Sequence, residues 1–321
     1  MKTSAFLILG VAALALALPA AAQQYPAKSI RIVVPYVAGG NTDFTARVIG
    51  QKLSEAWGQQ VLIENRPGGA TNIGSDLVAK AVPDGYTVLM GGAANAINMS
   101  LYQKMPYDTQ RDLAPIILCV QGANLLAIHP SLPAKNLKEL LALAKARPGK
   151  MSYGSSGLGS SNQMAGELMK LMAGVDILHV PYKGNPPAIT DTIGGQIEMV
   201  FSGVPALVPH LQSGRLRAIG IGSLKRFPAV PDVPTISESG LKGYEATTWF
   251  GLFAPVKVPK DIIAKWNADV GKILASQEVS TRFISEGIEP MGNSPEWFAK
   301  FIADEIAKYA KVVKAANLKG E

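Results

Sequence analysis

The sequence is poor in the residues that most often carry reactive or metal chemistry. Its 321 residues contain one cysteine, Cys119, and three histidines, His129, His179 and His210. A single cysteine cannot form an internal disulfide, and no two histidines have the spacing of a metal site. We therefore expect neither a disulfide framework nor a metal centre, and no cofactor is predicted.

Other signatures of a function class are missing as well. The formal charge is +7, but the lysines and arginines are scattered, and no dense basic run carries interleaved aromatics. This distribution argues against a nucleic-acid partner. Neither the dinucleotide-binding pattern G-x-G-x-x-G nor the P-loop pattern G-x-x-x-x-G-K-[ST] is present. Beyond the N-terminus, no stretch is long and apolar enough to cross a bilayer.

The N-terminal residues have the composition of a secretory signal. Lys2 is followed by an apolar stretch over residues 5–18 and by small residues up to Ala22. We predict a cleavable signal peptide over residues 1–22 and export to a periplasm. Cys119 is far from the predicted cleavage site, so we expect no lipid anchor. The remaining chain is long enough for two domains.

One stretch close to the predicted mature N-terminus combines a strand, a glycine turn and a helix start. Residues 30–34 are apolar and mostly β-branched, Pro35 ends the predicted strand, and Gly39 and Gly40 form the turn. A polar residue from 41–43 can cap the helix. Such a unit directs unpaired N–H groups and the positive end of a helix dipole at one point, which suits an anion. The alternative is a tight strand–helix turn that binds nothing.

The same unit recurs along the chain, which predicts an α/β fold with parallel strands. It occurs three times before residue 100 and again over residues 150–172. The apolar run at 113–129 is expected to leave one domain and enter another, and residues 244–253 are expected to return. The predicted architecture is a two-lobed α/β fold with a hinged cleft: lobe 1 comprises residues 23–124 and 248–321, and lobe 2 comprises residues 125–247.

The second glycine-rich loop, at residues 154–161, contains four serines but has no evident catalytic partner. It is not a G-x-S-x-G nucleophile elbow. His129 and His210 lie beside prolines in predicted loops, and His179 lies in a predicted buried strand. A serine hydrolase therefore remains only an alternative. The neutral donors on the predicted loops and helix starts suit a carboxylate that is bound without being changed: Thr42, Asn95, Ser155, Ser156, Ser160 and Gln163.

Six short motifs together resemble the Bug family, the TctC-like extracytoplasmic solute receptors of tripartite tricarboxylate transporters. The motifs are VPYVAGGNTD at 34–43, ENRPGG at 64–69, PDGYT at 83–87, YGSSGLGS at 153–160, HVPYKG at 179–184 and GGQI at 194–197. They occur in the family's order over nearly the whole mature chain. The resemblance implies a type II periplasmic-binding-protein fold and a receptor that binds a carboxylate-bearing solute without enzymatic activity.

The resemblance also implies the residues of the site. Carried over by position, the contacts from lobe 1 are Ala38, Gly39, Gly40, Thr42 and Asp43, and those from lobe 2 are Ser155, Ser156 and Ser160. The predicted site further includes Tyr36, Ala93, Asn95, Gly157, Gln163 and Ser202. Asp43 is expected to act as a helix cap or to hold a water molecule, because an anion beside an anionic ligand is unfavourable.

Two departures from the family pattern bear on the ligand. The family often has histidine where this chain has Gln163, and aspartate where this chain has Ser202. Without that aspartate, the site lacks a carboxylate for an ammonium group, so an amino acid is not the expected ligand. A di- or tricarboxylate is expected, or an aromatic carboxylate close to Tyr36 or Trp249, unless these two rings only pack in the core.

The implied partners are the membrane permease subunits of such a transporter, and the receptor itself is expected to be a monomer. A sensory receptor, which would present the same cleft to a signalling partner, stays open as an alternative.

Overall fold

The computed structural model describes residues 25–320, so the predicted signal peptide at residues 1–22 lies outside the described residues. The strands are β1 Ile30–Val34, β2 Val61–Asn65, β3 Thr87–Gly92, β4 Leu113–Ile128, β5 Ser152–Ser155, β6 Leu178–Pro181, β7 Met199–Gly203, β8 Arg217–Ile221, β9 Thr247–Pro255 and β10 Ile288–Pro290.

Helices cover both faces of these strands. They are α1 Asn41–Trp57, α2 Asn72–Ala79, α3 Ala93–Leu101, α4 Thr109–Asp112, α5 Leu137–Ala146, α6 Ser161–Ala173, α7 Asn185–Ile193, α8 Val204–Gln212, α9 Lys260–Ala275, α10 Gln277–Ser285 and α11 Pro295–Ala315. A short 3-10 helix, Gly69–Thr71, precedes α2. Within residues 25–320, none of the helices combines the length and apolar character needed to cross a membrane.

The strands form two half-sheets that share β4. In the first half-sheet the order is β2-β1-β3-β9-β4, where β1 is parallel to β2 and β3, and β10 pairs with β4. In the second half-sheet the order is β4-β7-β5-β6, with β8 also on β4. Residues 113–123 of β4 pair with β9, whereas residues 124–128 pair with β7 and β8. This mixed α/β architecture confirms the predicted fold class.

The first strand unit forms for the reasons evident in its sequence. The side chains of Ile30, Ile32, Val33 and Val34 are fully buried. Because Pro35 has no N–H for the ladder, β1 ends at Val34. Helix α1 ends at Gly58, which adopts a left-handed conformation (φ 64°) and donates its N–H to the Ser54 carbonyl at 3.1 Å.

A core cluster runs continuously through both half-sheets. It joins Val33 of β1 and Leu126 of β4 to Phe298 and Tyr309 of α11, which contacts both α3 and α6. Leu125, the neighbour of Leu126, belongs instead to a cluster with α7 and α8, so the two faces of the second half-sheet have separate cores. Helix α11 thus packs on one face of the whole sheet and holds both halves.

Several elements of the chain differ from the prediction. Helix α8 was not predicted, and α7 begins at Asn185, although the glycine and prolines of residues 183–187 suggest a loop. Both helices carry proline in the first turn, where its missing N–H costs nothing, so proline marked a helix start and not a loop. Strand β7 continues through Ser202 to Gly203, although these small residues suggest the end of a strand. The short strand β10 was not predicted either.

Substitution of alanine for two glycines, Gly251 and Gly271, should change the stability of the protein in opposite directions. A Cβ on Gly251 of β9 would lie 2.4 Å from Cζ of Phe298 and 2.9 Å from the Ile117 carbonyl oxygen, whereas a Cβ on Gly271 of α9 would meet nothing closer than 3.9 Å. We expect Gly251→Ala to lower the free energy of unfolding by about 1–3 kcal/mol through overpacking. Gly271→Ala should raise it by about 0.5–1 kcal/mol. Urea denaturation measures both, and a Gly251→Ala variant as stable as the wild type would contradict the packing described.

Candidate functional site

Five helices follow the carboxyl ends of strands, α3 and α8 directly and α1, α6 and α7 after a short loop, and most of these starts lack a capping side chain. Helices α1, α3, α7 and α8 have Gly40, Gly92, Gly184 and Gly203 at the N-cap, while α6 has Ser160. A glycine cap offers no side-chain acceptor to the N–H groups of the first turn. Helices α1 and α3 belong to the first half, and α6, α7 and α8 to the second. Each half therefore presents polarised N–H groups at its strand ends.

The loop before α1 is exposed at its tip and braced at its base. Ala38, Gly39 and Gly40 are exposed, and Gly39 has a φ of +87°. The buried Asp43 carboxylate accepts hydrogen bonds from Gly39 N at 3.0 Å, Arg47 Nε at 2.9 Å and Asn65 Nδ2 at 2.9 Å. Burial opposes ionisation, but these donors outweigh it, so the pKa of the Asp43 carboxyl is lowered. Asp43 thereby fixes the loop backbone.

The capping prediction for α1 was wrong. The N-cap is Gly40, and none of Asn41, Thr42 and Asp43 caps the helix, because the helix starts one residue earlier than a cap at Asn41 would require. Thr42 lies in the first turn and is buried. An unblocked helix start leaves the first-turn N–H groups to other acceptors.

The loop before α3 is rigid and closely packed. Asn95 has no exposed surface; its Oδ1 accepts from Gly92 N at 2.9 Å, and its Nδ2 donates to Ser75 Oγ and Tyr107 OH. Its side chain is therefore used within the first half and shapes the Gly92 backbone. Ala93 is buried beside it. The partly exposed Tyr36 places its hydroxyl 3.1 Å from the position a Cβ on Gly92 would take, and burial raises the pKa of that hydroxyl.

Trp249 packs in the core. Its indole is fully buried, donates to Glu305 Oε2 at 2.9 Å and lies edge-on against the Phe298 ring. Of the two aromatic rings considered for the ligand, only Tyr36 is beside a helix start.

The serine hydroxyls of the second loop are occupied by the loop itself. Ser156 Oγ donates to Asn162 Oδ1 and Ser160 Oγ donates to the Gly157 carbonyl, each at 2.7 Å, while Ser160 Oγ also accepts from Gln163 N. Gln163 is fully buried and its Oε1 accepts from Gly159 N at 2.8 Å. These bonds shape the loop, so its backbone and the start of α6 are the groups left to meet a ligand.

His179 lies closer to the serines than the sequence indicated. Its Nε2 is 2.7 Å from Ser155 Oγ, its Nδ1 is 3.4 Å from Gln163 Nε2, and its ring lies against Tyr153. Burial lowers the pKa of the imidazole to about 4. Ser155 is fully buried, and an amide faces the second ring nitrogen where a catalytic triad would have a carboxylate. The pair is therefore a structural support of the loop.

The other two histidines play no part in this site. His129 follows the end of β4, as predicted, but His210 was wrongly placed in a loop and belongs to α8. Among residues 25–320, no cluster of three or more His, Cys, Asp or Glu side chains could hold a metal ion.

Asn124 connects the second loop to the shared strand and was missed in the sequence. It lies where β4 changes partners, its Oδ1 accepts from Asn162 Nδ2 at 2.7 Å, and its Nδ2 donates to the Ala246 carbonyl at 3.1 Å. A lone asparagine within an apolar strand was the available signal. The hydroxyl of Ser202, which pairs with Leu125 across the same strands, is buried without a hydrogen-bond partner in the described part of the chain.

A sequence profile described as tripartite tricarboxylate transporter family receptor matches residues 45–318. Protein BugT of Bordetella pertussis is 36% identical over 311 residues, which cover 96% of this chain and 95% of BugT.

Two solved structures are similar over almost their full length. Rpa4515 of R. palustris, solved with adipate, has a TM-score of 0.82 and 37% identity, covering 92% of this chain and 99% of that one. MatC (Rpa3494) from Rhodopseudomonas palustris, with bound malate, has a TM-score of 0.78 and 32% identity, covering 90% and 100% of the two chains. These similarities confirm the fold predicted from the sequence.

Strand β6, predicted to be buried, is partly exposed, and the half-buried imidazole of His179 predicts a pH dependence of stability. Because the pKa of His179 is about 4 in the folded protein, below its usual value of 6.5, the unfolded chain binds more protons as the pH falls below 6.5. This contribution is therefore present above pH 6.5 and is lost as the pH falls toward 4. We expect the melting temperature to fall further between about pH 7.5 and about pH 5 in the wild type than in His179→Gln. Equal falls in both proteins would contradict a half-buried His179 that is neutral in the folded protein.

Proposed function

Because the chain belongs to the tripartite tricarboxylate transporter receptor family, we propose that it captures a carboxylate-bearing small molecule between two lobes. The family consists of extracytoplasmic receptors and not of enzymes, so the hydrolase alternative is set aside. The observation that carries the proposal is the set of uncapped helix starts at the strand ends of both half-sheets. A carboxylate between them would accept hydrogen bonds from both sides and lie at the positive ends of several helix dipoles.

The lobes of this proposal correspond to the two half-sheets. Lobe 1 is formed by residues 23–124 and 248–321, and lobe 2 by residues 125–247, with crossings in β4 and β9. Ligands of open α/β sheets bind at the carboxyl ends of the strands. The loops at residues 36–43 and 155–160 extend from such ends, one in each lobe, which supports a shared crevice.

Backbone groups are the main contacts in the proposed site. The exposed loop at Ala38, Gly39 and Gly40 would hold the ligand from lobe 1 through N–H groups other than that of Gly39, which is donated to Asp43. The loop at Ser156 and Gly157 would hold it from lobe 2 through N–H groups other than that of Gly157, which is donated to Ser155 Oγ. The side chains predicted for the site fall into two groups. Asp43, Asn95, Ser155, Ser160 and Gln163 shape these loops through the hydrogen bonds described, whereas Tyr36, Thr42, Ala93 and Ser202 are proposed to line the crevice.

Neutral donors favour an anion that keeps its charge when bound. Each of the candidate loops holds its donors rigidly, so little side-chain entropy is lost on binding. The two structural neighbours were solved with adipate and malate, both dicarboxylates. We extend this chemistry to the present chain and propose a di- or tricarboxylate, or an aromatic carboxylate lying near Tyr36. Ser202 provides no negative charge for an ammonium group, which disfavours amino acids.

The proposed setting follows from the family. We propose a monomeric periplasmic protein, exported by its N-terminal signal and not lipid-anchored, that delivers its ligand to membrane permease subunits. A signalling partner that recognises the same closed receptor is the alternative. Genes beside that of the receptor distinguish the two, since transport requires permease subunits.

A thermal-shift series tests the proposed function. Adipate or malate at about 100 times its dissociation constant should stabilise the protein by about 2.7 kcal/mol, because ligand binds only the folded state. Adipamide, which has the same length without charge, should give no shift. Gly40 has a φ of −84° and open space around it, so Gly40→Val should fold normally yet abolish the shift by filling the loop.

Gly194→Val is the control, because Gly194 has a similar φ of −76° and ends α7, far from the strand ends. It should leave the shift unchanged. The absence of a shift with any di-, tri- or aromatic carboxylate at millimolar concentration would refute the proposed function. A normal shift in Gly40→Val would show that the ligand does not bind at the loop before α1.

A further inference from the structure

The second loop touches the first half of the molecule at Gly159. A Cβ built on this glycine would lie 2.9 Å from Leu101 Cδ2 and 3.5 Å from Asn98 Oδ1, both on α3. Gly159 is buried, and its φ of +72° is favourable only for a residue without a side chain. The loop that carries the proposed ligand contacts of lobe 2 therefore rests directly on a helix of lobe 1.

A second contact of the same kind joins the halves on the other face of the sheet. A Cβ on Gly287, just before β10, would lie 2.5 Å from Cγ of Pro205 in α8. Leu101 belongs to the core cluster that contains α11, whereas the neighbours of this second contact, Ile288 and Val204, belong to the clusters of the opposite face. Each face of the sheet thus has one point where a glycine of one half fits against a side chain of the other half.

The first contact leaves a polar atom without a partner. Asn98 Nδ2 donates to the Ala70 carbonyl and to Asn72 Oδ1, but Asn98 Oδ1, the second atom near Gly159, is buried and accepts no hydrogen bond in the described part of the chain. Separation of the lobes would expose this oxygen to water, and contact between them removes that water. Contact between the lobes at this point therefore carries a desolvation cost.

We propose that Gly159 with Leu101, and Gly287 with Pro205, are closing contacts that determine ligand affinity without touching the ligand. This role presupposes the carboxylate capture proposed above. In the unliganded protein the desolvated oxygen of Asn98 favours separated lobes, and the bound ligand offsets that cost. The absence of a side chain at both glycines lets the lobes approach closely enough for both loops to reach one ligand. They are positioning residues of the receptor.

The test combines a substitution that creates a steric clash between the lobes with a second substitution that removes it. Gly159→Ala should weaken adipate or malate binding about tenfold in isothermal titration, which corresponds to ~1.4 kcal/mol, because its Cβ meets Leu101 before the lobes close. Leu101→Val shortens the opposing side chain, so Gly159→Ala/Leu101→Val should recover most of the affinity. Small-angle scattering should show that ligand reduces the radius of gyration of the wild type and of the double variant, but not of Gly159→Ala.

Gly174→Ala is the matched control. Gly174 ends the same helix α6 with a φ of +61°, and a Cβ there would meet nothing within 4 Å. The Gly174→Ala variant has the same kind of backbone strain but no clash between the lobes. Its affinity for the ligand and its compaction on binding should equal those of the wild type. If Gly159→Ala does not fold, as judged by circular dichroism, Gly287→Ala and its relief by Pro205→Ala provide the same comparison on the other face.

The outcomes separate this inference from the proposed function. Wild-type affinity and compaction in Gly159→Ala would overturn the inference and leave carboxylate capture intact. A loss of affinity that Leu101→Val does not relieve would also overturn it, because the cause would then be strain within the loop. If the wild type binds no carboxylate, the proposed function itself fails.

Discussion

The structure depends on one strand that serves two half-sheets. Residues 113–123 of β4 pair with β9, and residues 124–128 pair with β7 and β8, so neither half can be built without the other. Because the parallel strands of both halves end in short glycine-rich loops, helix starts accumulate at the strand ends on each side. Asn124, at the change of partners, ties α6 and the returning chain to this strand.

The chemistry of the site follows from donors that are already oriented. A lysine in a crevice would have to be desolvated together with the ligand, whereas backbone N–H groups at helix starts are polarised and fixed without carrying a full charge. Three side chains support the two loops, because each contacts a residue of one loop: Asp43, Gln163 and His179. A receptor must bind its ligand reversibly and release it unchanged. A reactive nucleophile in the site would work against this.

Much of this organisation could be predicted from the sequence, and the failures have physical causes. The boundaries of β1 were predicted correctly, and the resemblance to the receptor family is confirmed. Helix α8 was missed because two prolines suggested a loop. The pairing of His179 with Ser155 was missed because it joins neighbouring strands, and a single sequence contains no register between them. The same limit made the serine hydroxyls look available, although their acceptors lie within the folded loop.

The central claim is that one anionic ligand is held by both lobes at once. Hydrogen–deuterium exchange with and without adipate tests it directly, because backbone N–H groups that bind the ligand exchange more slowly. We expect increased protection in residues 38–42 and in residues 156–161 together, saturating at one ligand per chain. Protection confined to one of these loops, or to neither while adipate binds, would contradict it.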